Sequence, residues 1–352
     1  MQSFIHETRH ARIVFGSGTR EHLLREAEQL GLRRVLVLTS PEQSVLGRQM
    51  AELLGERSIG VYSHAVMHVP IDVVRSAVEA VRRAGADGCV AAGGGSTMGL
   101  AKALALEAGL PFIAVPTTYA GSEMTPLYAI TEGGHKHTGR DWRVAPRTVI
   151  YDPELTLSLP PGLAMTSGMN AIAHAAEGLY AGDGNPVYAL MAEEGIRALA
   201  SALPRLKRDA CHAEARSDAL YGAWLCGMVL GNLQMGIHHK LCHILGGSFN
   251  LPHAEVHTVV LPYAMAYNAE AAPQAMARIA RALGAAAAPA GLRDLGAALG
   301  VPRSLRELGM PAHGLDHAAD LVVAAPYPNP RPLERAAVRD LLQRAYDGAA
   351  PA

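Results

Sequence analysis

Short β-rich apolar runs alternate with helix-length segments over the first 151 residues, and this alternation constrains the fold more than any other feature. Val35-Leu-Val-Leu38, Gly88-Cys-Val-Ala-Ala92 and Pro111-Phe-Ile-Ala-Val115 are continuous apolar runs of the kind buried on both faces of a sheet, and Val149-Ile-Tyr151 is a shorter one. The segments between them, Gln43 to Leu54, Ile71 to Arg83 and Met98 to Glu107, suit helices. Strand, helix and strand at this spacing imply parallel pairing through right-handed crossovers.

After Asp152-Pro153 the texture changes. Pro160-Pro161 breaks the chain, and Ala/Leu/Met-rich stretches follow: Gly168 to Tyr180, Pro186 to Leu203, Ala213 to Leu230, Met235 to Leu245 and Gln274 to Leu283. These predict helices; Thr258-Val-Val-Leu261 is the one strand-like run of ambiguous type. A chain of 352 residues holds about two domains at ~150 residues each. The expected division is an α/β domain with a parallel sheet over residues 1–155, built to bind a dinucleotide, and an all-α substrate and catalytic domain over 156–352. Beyond Pro289 the pattern is weak, and Ala325 to Pro332 reads as a loop.

Composition removes several classes of function. Lys plus Arg number 31 against 32 for Asp plus Glu, a net charge of -1. Nucleic-acid binding through bulk charge and polybasic membrane anchoring both need more positive charge than that. The four cysteines, Cys89, Cys211, Cys226 and Cys242, show neither CxxC nor zinc-ribbon spacing. Met1 to Arg9 lacks the charged and apolar regions of a secretory leader, and no apolar run reaches the ~18–20 residues that span a bilayer. The expectation is a cytoplasmic protein with a small-molecule partner, without nucleic acid or membrane.

Ala91-Ala92-Gly93-Gly94-Gly95-Ser96 follows a predicted strand and opens a predicted helix. Three glycines let the backbone curl and approach a ligand, and N–H groups at a helix start suit a pyrophosphate. The sequence is not GxGxxG, so a plain tight turn is the competing reading. A second loop, Val115-Pro-Thr117-Thr118-Tyr-Ala-Gly121-Ser122-Glu123, follows the next strand with hydroxyls and a glycine. Gly93, Gly94, Gly95, Ser96, Thr117, Thr118 and Ser122 are the expected cofactor contacts. At the end of the first predicted strand stand Thr39 and Ser40, with no carboxylate before Glu42. An acidic residue there would disfavour NADP, so both NADH and NADPH stay open and Thr39 and Ser40 join the cofactor set.

Three pairs at helical spacing, built on five of the 16 histidines, stand out in the second half. Asn170 and His174, His239 and His243, and His253 and His257 are each four residues apart, which puts each pair on one helix face. His238, about 100° from His239 on a helix, reads as a bystander. Imidazoles could hold zinc or iron. Asn170, however, offers a neutral amide where a carboxylate would be the useful hard ligand, which favours a metal-free pocket lined by imidazoles.

Taken together these motifs resemble the iron-containing alcohol dehydrogenase superfamily. Gly93-Gly-Gly-Ser96, Pro116-Thr-Thr118 with Gly121-Ser-Glu123, and His239, His243 and His253 follow its pattern in order and spacing, and the likeness runs from Val14-Phe-Gly16 to about residue 283. The resemblance implies a Rossmann-like N-terminal domain, a helical C-terminal domain, an active site in the cleft between them, and a homodimer. Metal-dependent members use an Asp and three His, at positions matching Asn170, His174, His239 and His253 here. The Asp is lost, and Gly99 stands where the family's GGGSxxDxAK pattern has its Asp, while Lys102 is kept. Both departures, with Val66-Met-His-Val-Pro70, Thr138-Gly-Arg-Asp141 and Pro146-Arg-Thr-Val-Ile-Tyr-Asp-Pro153, resemble the maleylacetate reductase branch. That likeness implies metal-independent, NAD(P)H-dependent reduction of maleylacetate to 3-oxoadipate in the breakdown of aromatic rings.

Reduction of such a keto-diacid builds negative charge on the ketone oxygen, which a donor must meet. The family places the histidine matching His243 near the nicotinamide, so His243 is the expected acid, with His253 second. Asn170, His174 and His239 are expected to shape and hydrogen-bond the substrate. The dianion needs cations, and His135-Lys136-His137-Thr-Gly-Arg140 is a basic stretch in a neutral protein, so Lys136 and Arg140 are candidate carboxylate partners. A solvated loop is the plainer reading of that stretch. Two other functions remain open on sequence: a metal-dependent alcohol or aldehyde oxidoreductase using the remaining histidines, and a non-catalytic nucleotide sensor on the same fold.

Overall fold

The computed structural model describes Phe4, His6 and residues 11–133, 135–324 and 327–351. The opening segment read for a leader and the first two residues of the Ala325 to Pro332 stretch therefore lie largely outside the described residues. The chain forms two compact units, Glu7–Leu159, and Pro160–Ala352 together with Met1–His6.

The first unit is the α/β one. Its strands are β1 (Arg12–Phe15), β2 (Val35–Leu38), β3 (Ser58–Tyr62), β4 (Gly88–Gly93), β5 (Phe112–Pro116), the hairpin β6 (Leu127–Glu132) and β7 (His135–Arg140), and β8 (Thr148–Tyr151). Six of them form one sheet in the order β1-β8-β5-β4-β2-β3, with every pairing parallel. Helices α1 (Leu23–Gln29) and α2 (Ser44–Leu54) pack together, as do α3 (Ile71–Ala84) and α4 (Gly95–Ala108). Alternate strand residues Val35, Val37, Val90, Ala92, Ile113, Val115 and Ile150 join Leu23, Ala27, Met50 and Leu54 in one buried core. The intervening residues, such as Leu36, Leu38, Ala91 and Ala114, are buried too. Strands covered on both faces carry continuous apolar runs, and that is what made β2, β4 and β5 legible.

Strand order fixes where a ligand belongs. β2 connects outward to β3, whereas β4 connects the other way to β5, so neighbouring strands β2 and β4 flank a topological switch point. Leu38 pairs with Ala91 and Gly93 with Pro116, so Thr39, Gly94 and Thr117 leave the sheet at the same edge.

The second unit is helical: α5 (Pro161–Gly178), α6 (Pro186–Arg208), α7 (Ala213–Asn232), α8 (Ile237–Phe249), α9 (His253–Asn268), α10 (Pro273–Leu283), α11 (Ala288–Leu299), α12 (Gly314–Val323) and α13 (Arg335–Asp347). α5 packs against α6, α7 and α9 and is buried almost all round. A helix so enclosed has no polar face, which is why its first turns showed no periodicity and its start was read at Gly168 instead of Pro161. Thr258–Leu261 lies inside α9, so the ambiguous run is helical. The basic stretch from His135 is strand β7, paired with β6 from Leu127↔Arg140 to Glu132↔His135, and not an irregular loop.

Candidate active site

On the sheet unit, α4 starts directly from the glycine turn. Gly94 is its N-cap, and no side chain caps that helix start. A Cβ at Gly94 would lie 2.9 Å from Thr118 Cγ2, so the two loops touch and only glycine fits between them. A Cβ at Gly95 would point into open space. Thr97 Oγ1, in the first turn of α4, is buried without a hydrogen-bond partner. An uncapped helix start, an orphaned hydroxyl and an open glycine backbone suit a bound anion, and these residues fit the pyrophosphate of a dinucleotide.

The other predicted cofactor residues surround that turn in different ways. Thr117 is buried; its N–H donates to Gly93 O at 3.1 Å, and its hydroxyl accepts from Gln43 Nε2 at 2.9 Å. Gln43 is a bracing residue that the sequence reading did not single out. Ser122 opens a 3₁₀ turn behind Gly121, whose φ of 75° suits glycine. Thr39 is fully buried and donates to Ser63 Oγ at 2.9 Å, so its hydroxyl faces a protein partner. Ser40 is partly exposed and precedes the 3₁₀ turn Pro41–Gln43.

Beneath the second loop lies a buried polar network. Lys102 Nζ donates to Thr125 Oγ1 and to Leu127 O, both at 2.7 Å, and Tyr151 OH donates to Glu123 Oε1 at 2.8 Å. Burial draws the Lys102 ammonium down to about 7 against the pull of Glu123, and burial raises the Glu123 carboxyl. Gly99 has its own cause: a Cβ there would lie 2.5 Å from Val69 Cγ2. Val69 sits at φ 48° and His68 at φ 66°, strained for non-glycine residues. Thr131 holds them there, donating to His68 O at 2.7 Å and to Val69 O at 3.0 Å.

In the helical unit the imidazoles gather around a carboxylate. Asn170, His174 and Glu177 follow one face of α5 at spacings of four and three residues, and all three are buried. Glu177 accepts from the backbone N–H groups of Gly236 at 2.9 Å, His238 at 2.9 Å and His239 at 3.2 Å, so it caps the start of α8. It also accepts from Tyr180 OH and from His239 Nδ1, both at 2.6 Å. Burial pushes this carboxyl up, but the bond from His239, the fields of His239 and His238, and the Tyr180 hydroxyl outweigh it and bring it down to about 2.

An ionised Glu177 only accepts, so His239 donates to it from Nδ1. His239 Nε2 and His174 Nδ1 are 2.8 Å apart and share a hydrogen bond. Glu177, His239 and His174 form one hydrogen-bonded chain. His243 and His253 are exposed and stack at 6.4 Å with 15° between ring planes. His238, read from the sequence as a bystander, is fully buried, with Nε2 3.1 Å from His257 Nδ1. The sequence reading also gave Glu177 no role; its place three residues after His174 marks the shared helix face but not its part as acceptor for α8.

Two features of the positions matching the family's metal ligands count against a metal in this arrangement. Asn170 adds no charge, and His174 Nδ1 and His239 Nε2 face each other in a hydrogen bond. Ring centroids 5.0 Å apart agree with a straight contact of 2.8 Å between them. Lys136 and Arg140 belong to the sheet unit, both exposed; four residues apart on β7, they share one face of the hairpin.

Comparison with known proteins agrees in both halves. Residues 10–153 match the iron-containing alcohol dehydrogenase profile, and residues 164–346 match that of the Fe-containing alcohol dehydrogenase family, C-terminal. The chain is 61% identical to a maleylacetate reductase of Burkholderia cepacia over 100% of both chains, and 54% identical to one of Pseudomonas sp. strain P51 over 99% of both. The crystal structure of a maleylacetate reductase from Agrobacterium tumefaciens matches with a TM-score of 0.97 at 52% identity, covering 100% of each chain. An iron-containing alcohol dehydrogenase from Corynebacterium glutamicum matches at 0.95 and 40% identity, over 100% of this chain and 99% of the other.

Proposed function

The chain belongs to the iron-containing alcohol dehydrogenase family, and from that premise we propose that it is a maleylacetate reductase, converting maleylacetate to 3-oxoadipate with NADH or NADPH and without a catalytic metal. The observation that carries the metal-free reading is the wiring of the old ligand positions: an amide at Asn170, and two imidazoles joined to each other and to Glu177. The same reading makes the enzyme a cytoplasmic homodimer serving aromatic-ring breakdown; among the described residues no helix is long and apolar enough to cross a membrane.

The glycine turn, Ser96, Thr118 and Ser122 would hold the dinucleotide, with Thr39 and Thr117 bracing the loops from beneath and Ser40 beside them. Bound there, NAD(P)H supplies the hydride that adds to the alkene carbon β to the ketone. The protein's task is then to meet negative charge on the ketone oxygen and to deliver one proton.

Both ring nitrogens of His239 are engaged, so it acts on the substrate only by orienting His174. His174 Nδ1 is itself engaged with His239. That leaves the exposed pair His243 and His253 as the proton donors, His243 first. Asn170, whose Oδ1 is buried without a protein partner, would hydrogen-bond the substrate. Lys136 and Arg140 would take the carboxylates.

The test mixes the protein with NADH and maleylacetate and follows the nicotinamide absorbance, with and without chelator. Oxidation of one NADH per substrate that chelator leaves unchanged is expected. No oxidation, or chelator-sensitive turnover of simple alcohols, overturns the reading. Arg140→Ala is expected to raise KM about tenfold, roughly the ~1.4 kcal/mol of a charge-assisted contact, with kcat little changed. An unchanged KM removes Arg140 from the clamp.

A further inference from the structure

α8 carries two parallel ladders of ligating side chains. His239 and His243 belong to the site above, while His238 and Cys242, also four residues apart, form a second stripe. α9 faces both, with His253 on the first and His257 on the second. His238, Cys242 and His257 are completely buried, and one ligand atom from each lies within 4.8 Å of the others. Cys242 Sγ is 3.6 Å from His238 Nε2, and His238 Nε2 is 3.1 Å from His257 Nδ1.

The nitrogen–nitrogen and nitrogen–sulfur spacings made by His238 are close to those of a coordination shell. Zn–N bonds of about 2.0–2.1 Å and a Zn–S bond of about 2.3 Å at tetrahedral angles put nitrogens about 3.3 Å apart and nitrogen and sulfur about 3.6 Å apart. Ring geometry supports the comparison. His174 and His239 have the shorter nitrogen contact, 2.8 Å, with centroids 5.0 Å apart. His238 and His257 have the longer contact, 3.1 Å, with centroids only 4.8 Å apart. A longer contact between closer rings means that the nitrogens lie off the line joining the ring centres, an offset that two imidazoles directed at a third point also have.

We propose that His238, Cys242 and His257 form a binding site for a borderline-soft divalent cation of the zinc class, distinct from the positions that hold the metal in metal-dependent relatives. Two imidazoles and a thiolate are the donor set such a cation prefers, with one corner left for water. Binding exchanges the Cys242 thiol proton for the cation and releases that proton to solvent. The thiolate leaves one positive charge on the complex, and the buried Glu177 carboxylate, whose field reaches both His238 and Cys242, offsets it. The site takes no part in the reduction; an occupant ties α8 to α9 and stabilises the helical unit.

The experiment strips the whole 352-residue chain with chelator and titrates it with Co²⁺ alone. A thiolate-to-cobalt charge-transfer band saturating at one equivalent is expected, displaced by Zn²⁺, absent from Cys242→Ser and retained in Cys211→Ser, which alters the exposed cysteine. His253→Ala, which changes the other ladder, is expected to keep the band. No band in the wild-type protein, or one that survives Cys242→Ser, overturns the proposal. X-ray absorption on zinc-loaded wild-type protein decides the matter should Cys242→Ser fail to fold: one sulfur and two imidazoles in the first shell are expected, and a shell without sulfur overturns it.

Discussion

Glu123 in the sheet unit and Glu177 in the helical unit are both carboxylates removed from solvent, yet their protonation is pushed in opposite directions. Glu123 takes a hydrogen bond from Tyr151, and its cationic neighbour Lys102 is itself drawn toward neutrality at about 7. Glu177 accepts from three backbone N–H groups, a tyrosine and an imidazole. Burial alone raises a carboxyl, so the supply of donors decides whether a buried acid keeps its charge. A charged Glu177 can orient a proton chain through His239 to His174. Lys102 and Glu123, each drawn toward its neutral form by burial, brace the loop through Thr125, Leu127 and Tyr151.

Removing Glu177 is the largest blow this contrast predicts. Glu177→Ala strips the cap from α8 and leaves His239 and Tyr180 facing nothing, a loss of about 3–5 kcal/mol by the measure of broken buried pairs. The chain has two tryptophans, Trp142 in the sheet unit and Trp224 in α7, so single-tryptophan variants report on each unit in urea. The loss is expected at Trp224, with reductase activity falling alongside it. A cost below about 1 kcal/mol would mean that the carboxylate is not holding the cluster.

pH sharpens the contrast next, because the two units respond to acid with opposite sign. In the helical unit, burial holds His238 down at about 3 from an ordinary 6.5, and Glu177 lies at about 2 from 4.5. Both give up protons more readily when folded, so the unfolded chain binds more protons across these windows. Their stabilisation is complete above pH 6.5 and is lost as pH falls from there toward 2. Glu123 is raised instead, so its contribution is present below about pH 4.5 and is lost as pH rises through its folded value. Urea midpoints at Trp224 are expected to fall from pH 6.5 to 4 while those at Trp142 hold. Parallel falls at both tryptophans would break the comparison.

The sequence exposed the sheet unit's centre far better than its edges. β2, β4 and β5 are enclosed and read as continuous apolar runs, whereas β1 and β3 stand at the two ends of the sheet, are only partly buried, and left no such run. The β6 and β7 hairpin escaped for the same reason, since β7 is exposed along most of its length. In the helical unit, spacing along a single helix found Asn170 with His174 and His239 with His243. It could not find Glu177 as the hub, because that role comes from backbone N–H groups some sixty residues away meeting α5 in space. His238 was set aside from its angle to His239, which was correct on one helix and irrelevant once α9 brought His257 against the second stripe.

The smallest expected effect is also the most discriminating. Glu123→Gln replaces a carboxyl with an amide of the same shape. If burial already keeps Glu123 close to its neutral form, the amide oxygen accepts from Tyr151 as before and little changes. A cost of about 1 kcal/mol or less at Trp142 is expected, the scale of one adjusted hydrogen bond. The cost should also vanish at low pH, where carboxyl and amide are alike in charge. Lys102 sets the other limit: were Glu123 fully ionised, Glu123→Gln would strand a buried ammonium and cost several times more. A measured loss approaching that of Glu177→Ala would therefore show that Glu123 is charged in the folded protein, and that donor count is not what separates the two acids.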